Sequence, residues 1–254
     1  MANELQTIVG SDSIRQDLFQ LLKDYDSNFD INNPYSKKMS SLINNFLSYE
    51  TDVFKNLVHF LMKEIPNWKY HMLHQNTTDE ASGSLRVDLM GERSGDPRIQ
   101  QLMHRHALDE ERHSRLFGGL LQDLGGELEI AESEEMLKKW DDIKDYHEDL
   151  IVFTARVHTI EMRSWRCLKL YIDYLSKTDF VKEGWPEKTL DVLKVILNDE
   201  IRHVGYTGML LHEWAANGKQ EEVEAALEEA FRQTNRETWT DMSRMMDYLA
   251  KYYC

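Results

Sequence analysis

Along nearly the whole chain, apolar residues recur every three or four positions, the period of an amphipathic helix, and breaks in that period mark seven helical segments. Ile14, Leu18, Leu21 and Leu22 predict a peripheral helix over 11–25, closed by Asn32-Asn33-Pro34. Leu42, Phe46, Val53, Leu57, Phe60 and Leu61 predict a longer helix over 36–64, interrupted at Pro66. The third segment, 67–93, is odd in its middle: residues 76–84 are small and polar, and propensity alone makes them a loop. The turn behind it decides otherwise. Ser94-Gly95-Asp96-Pro97 joins a helix-capping Asp to a proline suited to a first helical position, which makes it the bend of an antiparallel helical hairpin.

A fourth helix over 97–124 stops at Gly125-Gly126, a natural carboxyl-terminal cap. Residues 127–147 form an acidic connector with a short helix near 134–140. A fifth helix covers 148–176. Pro186 opens the sixth, which ends near Asn217-Gly218. The last, over 221–252, carries Val223, Leu227, Phe231, Trp239 and Met246 and is expected to pack outside the others or on a second copy in a homodimer. Scarce glycine (12) and proline (4) agree with an all-α chain, and 254 residues suffice for one large domain over 1–254.

A net charge of -15 with no basic cluster to offset it argues against nucleic acid as a partner. The start lacks the basic and apolar blocks of a signal peptide, and no run approaches the ~18 apolar residues of a membrane span, so the expectation is a cytoplasmic protein with no membrane partner. Cys167 and Cys254 are far apart, so neither a disulfide framework nor a thiolate site is indicated. Any metal ligands are then oxygen and nitrogen.

The chain reads D-E-x-R-H twice, as Asp109-Glu110-Glu111-Arg112-His113 and as Asp199-Glu200-Ile201-Arg202-His203. At ~5% per residue type, four specified positions match by chance on the order of once in 10^5 starts, so two copies in one short chain are not coincidence. Residues three apart on a helix share a face, so each copy aims one carboxylate and one imidazole the same way. On its own, Glu-x-x-His is more often a solvated ion pair. Its neighbours strengthen the metal reading. Glu80 lies as far before the 94–97 turn as Glu110 lies after it, which sets the two carboxylates level in the hairpin. Glu161 and Glu200 stand in the same relation to the second turn. Six inward side chains result: Glu80, Glu110, His113, Glu161, Glu200 and His203. Four carboxylates buried together repel one another unless cations neutralise them, and two divalent ions would do so. Carboxylates with one imidazole per ion suit iron or manganese better than structural zinc.

A Glu on each of two helices with Glu-x-x-His on each of two others resembles the ferritin-like di-iron carboxylate superfamily. The resemblance covers about 67–217. It implies a four-helix bundle core with additional helices at 11–64 and 221–252. The D-E-x-R-H form looks like the oxygen-activating branch, so the resemblance implies an O2-dependent oxygenase or oxidase holding two Fe ions, or a Mn/Fe pair, and using an external electron donor to oxidise a small organic substrate. Glu110 and Glu200 would bridge the ions, Glu80 and Glu161 would be terminal ligands, and Asp109 and Asp199 would orient the histidines of the opposite half. The alternative is an iron-storage ferroxidase, which the extra length before and after the bundle disfavours. The radical-generating ribonucleotide reductase subunit places its tyrosine where this chain has Phe117.

Two further histidines extend the set. His106 lies four residues before Glu110 and His158 three before Glu161, each one turn from an expected ligand. Proteins resembling p-aminobenzoate N-oxygenases carry a third histidine one turn before a Glu-x-x-His, though on the second such helix, where this chain has Ile196. Direct ligation by His106 or His158 would favour N-oxygenation of an amine; the bland reading is a histidine that holds a carboxylate. Small residues at Thr77, Gly83, Ser84 and Thr207 leave room for a substrate or merely allow close helix packing. The remaining histidines, His59, His71, His74, His104, His147 and His212, are read as ordinary surface or core residues.

Overall fold

The structure is a computed structural model that describes residues 11–45, 47–65, 67–126 and 148–253. All regular structure among them is helical, as the periodicity predicts. The helices are α1 (Ser11–Tyr25), α2 (Pro34–Asn45), α3 (Asp52–Glu64), α4 (Trp68–Arg93), α5 (Pro97–Asp123), α6 (Leu150–Lys177), α7 (Thr189–Ala216) and α8 (Gln220–Tyr253). No helix among the described residues is long and apolar enough to cross a membrane. The expected short helix near 134–140 lies outside the described residues, as do Phe46, Pro66 and His147.

Two expectations about elements are corrected. The helix expected over 36–64 is two helices, α2 and α3, separated by a single 3-10 turn at Ser48–Glu50. Side-chain hydrogen bonds compete with the helix at that break. The Ser48 amide and hydroxyl both donate to Asn235 Oδ1 (2.8 and 2.9 Å), and Thr51 Oγ1 accepts from the Phe54 amide to start α3 afresh. The restart shifts the buried face by one position. Phe54, Val58, Leu61 and Met62 are buried, while the expected Val53 and Phe60 are 62% and 43% exposed. Pro186 does not open the sixth helix either. It sits in a turn closed by Thr189 N to Pro186 O (3.0 Å), and α7 begins at Thr189.

The backbone groups into two compact units, and α6 and α7 each run from one into the other. The first comprises Met1–Val58, Ile151–Cys167 and Glu200–Cys254. Here α1 packs on α2 and α2 on α8. Leu18, Leu22, Tyr35, Met39 and Ile43 are fully buried, each burial contributing about 1.5–3 kcal/mol. Polar ties cross this core: Thr159 to Thr234 at 3.0 Å joins α6 to α8, and buried Glu50 is held by Lys55 at 2.7 Å and by Arg166. On α8, Trp239 and Met246, expected on its apolar stripe, are about half exposed.

The second unit comprises His59–Leu150 and Leu168–Asp199 and is dominated by the antiparallel hairpin of α4 and α5. Its bend has the expected chemistry. Gly95 takes a positive φ of 69°, and the Asp96 carboxylate accepts from the amides of Arg98 (2.8 Å) and Ile99 (3.4 Å), with Pro97 at the start of α5. The polar middle of α4 stays helical because its hydroxyls are spent inside the hairpin. Thr77 donates to Leu73 O at 2.7 Å, and Ser114 of α5 donates to Thr77 O at 2.8 Å. At Gly91 the two helices approach so closely that a Cβ would lie 2.9 Å from that of Met103.

Candidate metal-binding sites

Within the second unit, α4 and α5 bring Glu80, Glu110 and His113 together, their ligand atoms lying within 4.8 Å of one another. His113 Nδ1 stands 3.8 Å from Glu80 Oε2 and 3.6 Å from Glu110 Oε1. Within the first unit, α6 and α7 bring Glu161, Glu200 and His203 together. His203 Nδ1 stands 3.8 Å from Glu161 Oε2 and 3.6 Å from Glu200 Oε2. The duplicated sequence thus folds into two triads with the same spacings.

Those spacings are too long for hydrogen bonds and fit a shared cation. Two ligand atoms each ~2.1 Å from one ion and about 110–130° apart are about 3.4–3.8 Å from each other. The proton inventory points the same way. His113 Nε2 lies 3.0 Å from Asp199 Oδ2, the residue before Glu200 on α7. Burial works to raise the Asp199 pKa, but hydrogen bonds from His113 and Arg112 outweigh it and hold it below the ordinary carboxylate value. The ionised carboxylate can only accept, so Nε2 carries the proton and donates. His113 Nδ1 is buried with no hydrogen bond of its own, and in the neutral ring that binds metal its lone pair would face the two carboxylate oxygens, where a cation fits between them. The imidazoles of His113 and His203 are 0% and 2% exposed, so bulk water does not mediate instead.

Arg112 donates to Asp109 Oδ1 at 2.7 Å and also to Asp199 Oδ2, so one guanidinium fixes the carboxylate that orients His113. In the other triad, burial first and then the neighbouring Glu161 carboxylate push the Glu200 pKa well above the ordinary range. A divalent ion would supply the charge that keeps both ionised. These buried His/Glu groups could therefore hold a metal.

The two extra histidines differ. His106 is buried, with Nε2 3.2 Å from Glu110 Oε1. His158 has different partners: Nε2 lies 2.8 Å from the Tyr35 hydroxyl and Nδ1 2.9 Å from Thr207 Oγ1, so both ring nitrogens are engaged by hydroxyls. Burial pushes its pKa down to about 3 and keeps it neutral. Tyr35 has no signal in the sequence, because nothing local links it to a residue on α6. His212, read as ordinary, is buried on Asp30, whose amide donates to Nε2 at 3.0 Å.

Of the small residues, Thr77 and Thr207 spend their hydroxyls on backbone carbonyls. Gly83 is different: a Cβ there would meet only Glu110 Oε2, at 3.5 Å. The open groove lined by Asp123, Leu124 and residues 184–188 lies at the far end of α5, about 20 Å along the helix from Glu110. Comparison with protein-family models, with curated proteins and with solved structures finds no match for this chain.

Proposed function

We propose that the chain is a ferritin-like non-heme di-iron oxygenase or oxidase that uses O2 and an external electron donor to oxidise a small organic molecule. The reading rests on one observation above the rest: two triads of identical spacing, each with an imidazole Nδ1 turned towards two carboxylate oxygens at 3.6 and 3.8 Å. Glu80, Glu110 and His113 would serve one ion and Glu161, Glu200 and His203 the other. The D-E-x-R-H repeat supports that pairing. Oxygen and nitrogen donors with a carboxylate majority fit iron or a Mn/Fe pair.

Bound iron would supply the electrons that reduce O2 and the oxidising equivalents passed to the substrate. The chain's own part is positional and electrostatic. Asp199 keeps the proton of His113 on Nε2, Arg112 anchors Asp199, and the glutamates balance the charge of the ions. Gly83 leaves the side of Glu110 open for a small molecule. The preference for an amine rests on His106 alone, since both nitrogens of His158 are engaged elsewhere.

The test is iron uptake and O2 consumption by the reduced, reconstituted protein offered small aromatic amines and their non-amine analogues. An oxygenase takes up a fixed complement of iron, stops, and then forms oxidised product in step with O2. A chain that keeps loading iron and forms no product is a store, and the proposal fails.

A further inference from the structure

The first unit contains a buried hydrogen-bond chain that the expected ligand set does not use. Tyr35 enters from α2, outside the repeated hairpins, and its ring is fully buried. Its hydroxyl lies 2.8 Å from His158 Nε2, His158 Nδ1 lies 2.9 Å from Thr207 Oγ1, and Thr207 donates to the carbonyl of His203 at 2.6 Å. Proton positions follow from the count of donors. Thr207 has one O–H and gives it to His203, so towards His158 it accepts, and Nδ1 carries the proton. The Nε2 lone pair, the one ring position of neutral His158 able to bind a metal, is therefore capped by the Tyr35 O–H.

The cap is built in. The Tyr35 amide donates to Asn33 Oδ1 (2.9 Å), and Asn33 Nδ2 donates in turn to the His212 carbonyl (3.1 Å). Gly208 provides the room, since a Cβ there would lie 3.0 Å from the Tyr35 hydroxyl and 3.1 Å from His158 Cε1. His158 is meanwhile one helical turn before Glu161, where a released imidazole would compete for an ion held by Glu161 and His203. His106 of the other repeat keeps Nε2 3.2 Å from Glu110 Oε1.

We propose that Tyr35 is a positioning residue that sets the ligand count of the triad on α6 and α7: by occupying Nε2 of His158 it withholds that imidazole from the metal and leaves a coordination position beside Glu161 open. This rests on the metal reading above, in which an open position is where O2 or substrate reaches the ion. It also gives α2 a role beyond packing.

The experiment counts histidine nitrogens coupled to the iron by pulsed electron paramagnetic resonance in the full-length, iron-loaded chain. Wild type and His158→Ala should give the same count, Tyr35→Phe should add one nitrogen, and Tyr35→Phe/His158→Ala should lose it again. A His158→Ala spectrum that lacks a nitrogen present in wild type overturns the proposal, as does a Tyr35→Phe spectrum identical to wild type. In the metal-free protein, nitrogen-15 spectra of labelled histidine should show His158 protonated on Nδ1, with an Nε2 signal that shifts in Tyr35→Phe. Protonation on Nε2 overturns the proposal independently of any metal. A wild-type chain that takes up no iron refutes the proposed function, and this inference with it, whereas iron uptake with an unchanged nitrogen count refutes this inference alone.

Discussion

Asp199→Asn isolates the role of a single buried carboxylate. Asp199 accepts from His113 Nε2 at 3.0 Å and from Arg112, and its side chain is 5% exposed. The amide is nearly isosteric, and its oxygen still accepts from Nε2–H, so the fold and the ring orientation should survive. What is lost is the negative charge that makes His113 a better donor to the ion and that balances Arg112. Replacing such a partner typically costs 10–100-fold in metal affinity; because one acceptor atom remains, the lower end applies, about tenfold or ~1.4 kcal/mol. The assay is an anaerobic competition titration of Fe(II) or Mn(II) against a chelator, with Arg115→Gln as control, since Arg115 lies on the same helix as His113 and pairs with exposed Glu111. An Asp199→Asn affinity within twofold of wild type would refute the idea that Asp199 tunes His113.

Gly91→Ala forces a Cβ to within 2.9 Å of Met103 Cβ at the α4–α5 crossing and should cost about 1–3 kcal/mol in chemical denaturation; an unchanged midpoint would mean the hairpin relaxes freely. Gly83→Leu places its Cβ 3.5 Å from Glu110 Oε2 without a clash, so metal content should hold while substrate turnover falls at least tenfold, and equal turnover would remove the pocket. Glu148 has its pKa raised to about 7 by burial and then by the Asp149 charge. A raised carboxylate contributes stability that is fully present below its unfolded value of about 4.5 and is lost as pH rises through about 7, so metal-free protein should lose thermal stability over that window and Glu148→Gln should flatten the slope.

What the sequence reveals and what it hides divides along chain separation. The turn at Ser94–Pro97 is legible because its capping and its proline act within four residues. Counting outward from it places Glu80 level with Glu110, and the structure brings both to His113. The polar stretch at 76–84 is helical for reasons that propensity does not contain: its carbonyls and hydroxyls are satisfied within the hairpin by partners such as Ser114. The break between α2 and α3 was illegible because its cause, Asn235, lies 187 residues from Ser48. Without that break the apolar stripe of 36–64 runs in the wrong register and puts Val53 and Phe60 inside, whereas both are exposed. Likewise the partner of His158 is Tyr35, 123 residues away on a flanking helix, so the position of His158 beside Glu161 suggests a ligand while its hydrogen bonds say otherwise.

The most direct measurement of the central claim is iron content after anaerobic reconstitution of wild type, Glu110→Ala and His203→Ala. Glu110 belongs to one triad and His203 to the other. If each triad holds one ion, wild type should hold close to two irons per chain, and each single variant should lose at least one. Wild type without iron, or either variant with its full complement, would contradict the account.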